Sequence, residues 1–303
     1  MKLYRSTEVP VRMDDIVCKE SPWVAGIKVF VAIGFMSLLL IAPVVYIARG
    51  VKDFNPTMIV GIVLAPIAIV GIVGASRGFL KTLREPNWTM RWNEESLIIK
   101  FSSFLNKRLR KEEDIVAVGF SFNEIEWIAH RPIKILLPRE IDAEKFRAHY
   151  LDIKLRDGNL KPLQQAMNEE EARPKSWHAN SSNTWYVEFY SMSHKSCVYV
   201  IDHDIIRLAW RVPGKYLAPG IKQVIQALSD KIAIRPQVDE QTDLADQKKM
   251  QEILLREWAQ AGQARRTEDA IVVAKEFYRV SQSEAERIVK DLKKADKQPQ
   301  SIS

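Results

Sequence analysis

Cysteine is scarce in this chain of 303 residues, which holds only Cys18 and Cys197. Two cysteines without a C-x-x-C spacing exclude a small domain held by a disulfide framework. Glycine, with 12 residues, and proline, with 14, are also scarce, which excludes collagen-like and low-complexity chains. The 8 Trp, 11 Phe and 8 Tyr are too many for a chain disordered throughout. The length instead predicts two or three folded units.

Familiar catalytic motifs are absent from the sequence as well. It contains no G-x-S-x-G, P-loop, G-x-G-x-x-G or H-E-x-x-H pattern. His194, Cys197 and His203 resemble metal ligands but lack a fourth ligand at a familiar spacing. Asp202-His203-Asp204 falls where two strands are expected to turn, a position that aspartate favours. We therefore predict no catalytic, cofactor-binding or metal-binding residue, and no cofactor.

Two long apolar runs lie within the first 80 residues. Residues 29–48 and 57–76 carry no charge, and about 20 apolar residues span the ~30 Å hydrocarbon core of a bilayer. They predict two transmembrane helices, at about 27–48 and 57–76, joined by a short loop. Lysine and arginine residues are more numerous before the first run and after the second than in the loop. This bias predicts an integral inner (plasma) membrane protein with both termini in the cytoplasm.

Small residues recur along the second apolar run. They let helix backbones approach closely and predict helix packing in the membrane. The candidate packing residues are Gly61, Ala65, Gly71, Gly74 and Gly78. Packing between the two spans of one hairpin and packing between copies in a homo-oligomer both remain open. Neither run contains a carboxylate, so a proton or ion pathway has no support.

The net charge of +7 is unevenly distributed along the chain. Residues 1–86 carry +4 and the longer remainder carries +3, so the remainder lacks the basic bias of a nucleic-acid binder. One basic cluster stands out, at Lys107, Arg108, Arg110 and Lys111, and acidic residues follow it directly. This cluster is either a solvated strand edge or a contact with anionic lipid headgroups, at ~1 kcal/mol per basic residue near a membrane surface.

The region after residue 87 alternates between strand signals and turn signals. A β-hairpin is predicted over residues 88–101, and further strands are predicted from their β-branched and aromatic content. Those strands are 115–122, 133–137, 150–156, 184–190, 197–201 and 205–211. A short helix is predicted at 141–146, partial helix at 162–171 and an amphipathic helix at 219–232.

The C-terminal part has helical periodicity. Residues 233–242 have the composition of a linker, and a helix is predicted over 243–261. A second helix begins at Thr267 and a third follows the capping box that Ser281 opens. The pattern of this part is similar to small ubiquitin-associated-like folds and to helix-turn-helix units. A hairpin that serves packing or docking is the simpler interpretation.

Two segments carry a resemblance to a known group of proteins. They are WTMRWNEESLII at 88–99 and KEEDIVAV at 111–118. The order of an opening hairpin, a basic strand and an E-D-I-x-x-V stretch resembles bacterial membrane proteins that join a two-helix transmembrane hairpin to a pleckstrin-homology-like (PH-like) cytoplasmic domain. The resemblance covers about residues 24–148. It implies anchoring, lipid contact or protein binding, and it implies no catalytic residue.

These observations predict an α+β membrane protein. Its parts are a cytoplasmic N-terminal segment (1–23), a transmembrane helical hairpin (24–80), a PH-like β-rich cytoplasmic domain (87–232), a linker (233–242) and a C-terminal helical hairpin (243–297). The predicted function is a membrane-anchored, non-enzymatic scaffold, sensor or recruiting module with an unidentified protein partner. One alternative is a structural subunit of a transport, secretion or conjugation assembly. The other is a membrane-tethered enzyme that uses the Asp202–Asp204 region.

Overall fold

The computed structural model describes most of the chain outside the two apolar runs. Its described ranges are 1–12, 14–21, 88–101, 114–138, 143–172, 198–212, 215–235, 240–260 and 264–295, with the single positions Ile27, Phe30, Val31, Gly34 and Val73.

The β-strands of these ranges form one curled antiparallel sheet. The strands are β1 (Lys2–Arg5), β2 (Ile16–Glu20), β3 (Trp88–Trp92), β4 (Ser96–Lys100), β5 (Ile115–Ser121), β6 (Ile125–Pro138), β7 (Ala143–Leu155), β8 (Val198–Val200), β9 (Ile205–Val212) and β10 (Lys215–Ala218). Their order across the sheet is β1-β5-β4-β3-β2-β10-β9-β7-β6, and β8 pairs with β9 outside this path. The sheet therefore joins strands that are far apart in the sequence.

Helices accompany the sheet in its second half and follow it. They are α1 (Lys161–Ala172), α2 (Ile221–Leu228), α3 (Glu240–Gln260), α4 (Ala264–Tyr278) and α5 (Gln282–Ala295). The amphipathic helix α2 buries Ile221, Val224 and Leu228. Helices α3–α5, the three-helix unit, enclose their own apolar cluster and rest against Leu136 and Leu137 of the long β6–β7 hairpin.

One hydrophobic core runs from the N-terminal strands to α2. Buried side chains of Cys18, Met90, Phe120, Leu151 and Val224 belong to the same cluster. Apolar burial contributes about 25 cal/mol per Å² of surface removed from water, so a shared core couples the stability of the strands that line it. The described residues between 150 and 232 are therefore part of the same folded unit as the first hairpin.

The outer edge of β6 is covered rather than left open. The Ile128 N–H donates to Ala233 O at 3.0 Å, and the Arg235 N–H donates to Ile128 O at 2.9 Å. Farther along, the Leu136 N–H donates to Gln251 Oε1 at 2.7 Å, and Gln251 Nε2 donates to Leu136 O at 3.3 Å. The buried Gln251 amide of α3 thus takes the place of a neighbouring strand at Leu136, which shortens the stretch of open edge that could pair with another chain.

The N-terminal arrangement contradicts the prediction from sequence. Strands of the N-terminal residues belong to the sheet, because β1 pairs with β5 and β2 pairs with both β3 and β10. Among the described residues, no helix combines the length and the apolar character needed to cross a membrane. The predicted fold class, with its transmembrane hairpin, and the predicted inner-membrane localisation are therefore corrected.

An apolar run without charges does not by itself establish a membrane span. A charge-free run meets the length requirement of a membrane span, but a buried segment can meet it too. Five positions in the two predicted spans are described, namely Ile27, Phe30, Val31, Gly34 and Val73, and each of them is helical. The rest of both spans, 27–48 and 57–76, lies outside the described residues.

The predicted PH-like domain is also wrong in its topology. The hairpin predicted at 88–101 is present as β3 and β4, with Met90 opposite Ile99. However, β2 stands between β3 and β10 and so joins the first strands to the β9-β7-β6 part. In the predicted PH-like arrangement, consecutive strands are followed by one helix. That arrangement has no place for a strand such as β2, which comes from a distant part of the sequence. The resemblance to membrane proteins with a PH-like domain therefore fails at the level of fold.

Local predictions succeeded where the periodicity was strong. The helices predicted at 162–171 and 219–232 correspond to α1 and α2, and the three C-terminal helices are present as α3–α5. The short helix predicted at 141–146 is wrong, because β7 is already a strand from Ala143. Cross-strand pairing with β6 continues through this stretch, and such tertiary pairing overrides the helix preference of Ala143, Glu144 and Lys145.

Candidate functional site

Most residues predicted from sequence as sites lie outside the described residues. These are the basic cluster Lys107, Arg108, Arg110 and Lys111, and the small residues Gly61, Ala65, Gly71, Gly74 and Gly78. His194 and Cys197, considered as metal ligands, are also outside. The structure therefore tests neither the lipid-contact hypothesis nor the helix-packing hypothesis.

The Asp202-His203-Asp204 segment forms the turn between β8 and β9, as its composition predicted. His203 Nδ1 lies 2.9 Å from Asp202 Oδ1, and His203 Nε2 lies 3.8 Å from Asp204 Oδ2. The hydrogen bond with Asp202, followed by the charge of Asp204, raises the pKa of His203. His203 is 77% exposed. The turn is a solvated set of ion pairs, since its groups are already bonded to one another.

A nearby turn fixes the position of Asp204. A Cβ atom placed on Gly158 would lie 2.3 Å from Asp204 Cβ, so only glycine permits this approach of the two turns. Lys154 Nζ lies 3.7 Å from Asp204 Oδ2 and 3.0 Å from Glu126 Oε2. These contacts neutralise much of the charge of the turn without building an enclosed site around it.

An open cleft of about 460 Å³ lies beside Lys154. Its walls are formed by Glu126, Trp127, Lys154, Ala233, Ile234 and Arg235. The Arg235 guanidinium stands 4.8 Å from the centre of the Trp127 ring, and Lys154 is paired with Glu126. The charge of Lys154 is therefore compensated by Glu126, whereas that of Arg235 meets only the Trp127 ring.

One face of β6, β7 and β9 carries a buried charge cluster, formed by Arg131, Asp152, Arg207 and Asp246. Arg207 donates from Nε and Nη2 to the two oxygens of Asp152, both at 2.7 Å, and from Nη2 to Asp246 Oδ2 at 3.1 Å. Arg131 Nε lies 3.4 Å from Asp152 Oδ2. The cluster balances two cations with two carboxylates, and through Asp246 it ties the three-helix unit to the sheet.

The pKa of Arg207 reflects this compensation. Burial alone would lower it, but the hydrogen bonds with Asp152 and the charges of Asp152 and Asp246 raise it. Arg207 therefore stays charged in a position with only 2% of its side chain exposed. Such a buried cation requires its carboxylate partners, so the cluster has a structural role.

The opposite face of the same strands presents cations. Side chains alternate between the two faces of a strand, so His130 points away from Arg131, and His149 points away from Tyr150. This cationic face consists of His130 and Lys134 of β6, Arg147 and His149 of β7, Arg211 of β9 and Lys222 of α2. The two histidines are half-buried and the other four residues are exposed.

Strand register places one pair of like charges opposite each other on the cationic face and sets a further cation opposite a histidine. Lys134 lies directly opposite Arg147. A register shift between His149 and Tyr150 sets Arg211 opposite His149, and such a bulge re-aims a side chain. Like charges in directly opposed positions destabilise a sheet by about 0.2–1 kcal/mol per pair. The sheet therefore tolerates an unfavourable arrangement at this place.

No carboxylate among the described residues forms an ion pair with Lys134, Arg147, Arg211 or Lys222. Arg211 stands over the ring of Tyr216 at 5.3 Å, which leaves its charge uncompensated. Lys222 lies in the first turn of α2, where the helix dipole disfavours a cation. The positive charge of this face thus has no counter-charge within the described protein.

His130 and His149 form the centre of the cationic face. Their rings stack with centroids 5.1 Å apart, and His130 Nε2 lies 2.9 Å from His149 Nδ1. Burial is the largest cause that lowers the pKa of each histidine. The neighbouring cations lower it further, Lys222 and Arg147 for His130, and Arg211 and Arg147 for His149. Chemically, this arrangement is suited to receive an anion.

The sequence analysis missed the cationic face. Its residues come from three strands and one helix, and β6 and β7 each contribute two of them on one side of the strand, as in His130-x-x-x-Lys134 and Arg147-x-His149. The available signal was this period of two within strands whose remaining residues are apolar. A contiguous basic run, such as residues 107–111, is visible in the sequence itself. The cationic face is assembled only when the chain folds.

Comparison with known proteins identifies no relative: no family model matches the chain, and neither a curated protein nor a solved structure matches it. Any functional conclusion therefore rests on the geometry of the cationic face and its surroundings.

Proposed function

We propose that this protein is a non-enzymatic recruiting module that binds an acidic segment of a partner protein at its cationic face. The observation that carries the proposal is the group of exposed cations at Lys134, Arg147, Arg211 and Lys222, which lack carboxylate partners among the described residues. An acidic segment would supply the missing counter-charge. Electrostatic complementarity of this kind favours both encounter rate and specificity.

The opposite face of the same strands supports this proposal. There the buried arginines are matched by Asp152 and Asp246 within hydrogen-bond distance. The same part of the fold thus compensates its cations where they are structural. Where the cations face solvent, an external partner would supply the compensating carboxylates.

The size of the cationic face favours a short peptide segment over nucleic acid. Its residues lie on neighbouring strands and on the first turn of one adjoining helix. Beyond residue 86 the chain carries a net charge of only +3. Nucleic-acid binders instead present extended basic surfaces that follow many phosphates.

The Asp202-His203-Asp204 turn supports a non-enzymatic role. Its aspartates and histidine would be the natural candidates for acid–base chemistry, but Asp202 and His203 are 58% and 77% exposed. General acid–base catalysis requires a positioned group within reach of a bound substrate. A solvated turn in which the groups bond to one another does not provide that positioning.

Peptide binding to the full-length chain tests the proposal. A hexaglutamate peptide should bind, and the combined change Arg147→Gln with Arg211→Gln should weaken binding at least about tenfold, which is 1.4 kcal/mol. The matched control, Arg156→Gln with Arg287→Gln, removes the same charge from exposed positions elsewhere and should leave affinity unchanged. Equal losses in both variants would overturn the proposal. So would tighter binding of a thymidine oligonucleotide of equal charge.

A further inference from the structure

We infer that the cationic face binds its acidic segment together with protons, so that the His130–His149 pair makes recruitment stronger at lower pH. This inference rests on the proposed function and specifies its regulation. It comes from the contact between the two imidazole rings and from the cations around them.

The ring contact limits how many protons the free pair can hold. His130 Nε2 and His149 Nδ1 are 2.9 Å apart, a hydrogen-bond distance that requires an N–H on one nitrogen and a lone pair on the other. If both rings were imidazolium, both facing nitrogens would carry N–H groups and the contact would be lost. The fully protonated pair therefore needs an acceptor between or beside the rings.

A carboxylate supplies that acceptor. It has two oxygens that accept hydrogen bonds, and charge-assisted N⁺–H···O⁻ bonds are about twice as strong as neutral ones. When a carboxylate of the acidic segment approaches, each ring can turn an N–H toward it. Protons then move from solvent to the imidazoles, and no other group is consumed or produced.

The surroundings of the pair hold it in the proton-poor state before binding. The charged groups that face it are Lys134 from β6, Arg147 from β7, Arg211 from β9 and Lys222 from α2, with Tyr216 of β10 beneath Arg211. All four charges are positive, and those of Lys222, Arg147 and Arg211 oppose protonation of the imidazoles. Burial acts in the same direction and lowers the pKa of both histidines. A bound anion offsets these effects and favours proton uptake.

Calorimetry of hexaglutamate binding to the full-length chain provides the test. Titrations at several values from about pH 6 to 8, in two buffers that differ in heat of ionisation, report the number of protons taken up. Glutamate titrates near 4.3, so the ligand contributes little over this range. Affinity should rise as pH falls, by at most about tenfold per pH unit for each proton bound.

Two variants assign the protons to the pair. His130→Gln combined with His149→Gln should still bind at pH 8 but should lose the proton uptake and the pH dependence. His203→Gln removes an exposed histidine elsewhere and should retain both. The NMR signals of the two ring Cε1–H groups should also titrate at higher pH when the peptide is bound, which gives a second readout if the double variant folds poorly.

The outcomes separate this inference from the proposed function. Absence of binding at every pH would overturn the proposed function itself. Binding without proton uptake, or uptake that persists in the double variant with unchanged imidazole titrations, would overturn the inference. Recruitment at the cationic face would then stand without pH control.

Discussion

The two faces of β6, β7 and β9 differ in how their positive charges are compensated. On one face Arg207 is fully buried and donates two hydrogen bonds of 2.7 Å to Asp152. On the other face Arg147 is exposed and lies opposite Lys134. Both arrangements are produced by the same backbone, since adjacent residues of a strand point to opposite sides.

This difference separates charge that holds the fold from charge that is available to a partner. A buried cation without a carboxylate would cost several kcal/mol, so the protein supplies the carboxylate itself. An exposed cation in water costs little, so it can remain uncompensated until a ligand arrives. The predictions below disturb one face and leave the other intact.

The largest effect is expected from Asp152→Asn. This change removes the carboxylate that pairs with both Arg131 and Arg207 and leaves two buried cations facing a neutral amide. The free energy of unfolding should fall by about 3–5 kcal/mol, as measured by urea denaturation. Asp230→Asn, at an exposed position, should change it by no more than about 0.5 kcal/mol. Equal effects at both positions would contradict a structural role for the cluster.

A smaller effect is expected from Asp246→Ala, which removes the link between Arg207 and α3. Loss of one hydrogen bond to a charged group should cost about 1–3 kcal/mol. Amide hydrogen exchange should show the loss mainly in the three-helix unit, because the Arg207–Asp152 bonds remain. Asp291→Ala, an exposed position in α5, is the control with the same change in helix propensity. Uniform loss of protection across the sheet would show that Asp246 does not act as this link.

On the cationic face a charge reversal should stabilise the protein. Lys134→Glu converts the like-charged pair with Arg147 into an opposite pair, so unfolding should become harder by about 0.2–1 kcal/mol at low salt. The gain should shrink as salt screens the pair. Hexaglutamate binding should weaken in the same variant. A variant that gains affinity or loses stability would contradict the claim that the cations of this face are uncompensated and available to a ligand.

The smallest effect is a change in the pH dependence of stability. The pKa values of His130 and His149 are lowered in the folded protein, so the unfolded chain binds protons first as pH falls through about 6.5. Stability should therefore decrease below that pH, and His130→Gln with His149→Gln should flatten the decrease.

His203 provides the control of opposite sign. Its hydrogen bond with Asp202 raises its pKa, so its pairing stabilises the fold at low pH and is lost as pH rises through the folded-state value. His203→Gln should thus make the low-pH decrease steeper. Unfolding measured by urea from about pH 5 to 8 compares the three proteins, and identical profiles would show that none of these histidines is shifted by folding.

Much of the local structure could be predicted from the sequence, because local periodicity determines it. The apolar spacing of Ile221, Val224 and Leu228 predicted α2, and the alternation from Trp88 to Lys100 predicted the first hairpin. By contrast, the place of β2 between β3 and β10 depends on pairing between residues far apart in the chain. Short-range patterns carry no information about such partners, which is why the predicted PH-like topology failed.

The cationic face was beyond sequence reasoning for a related reason. His149 and Arg211 become neighbours only through the β7–β9 register, and a one-residue shift in that register decides which residues oppose each other. Lys222 joins them from a helix. The buried charge cluster was equally hidden, since Asp152 and Arg207 look like ordinary polar positions in strands until their pairing is known.

The junction of β2 and β3 has a consequence for how the gene can be edited. β2 ends at Glu20, β3 begins at Trp88, and Lys19 lies opposite Trp88. The chain thus leaves the sheet and re-enters it at one point, between antiparallel neighbours that a short turn can join in place of residues 22–87. A four-residue turn in their place would keep every strand pairing of the sheet. Because the closed loop becomes about sixteen times shorter, the entropic cost of closing it should fall by about 2.5 kcal/mol. At this point the continuity of the sheet is set by the pairing of β2 with β3.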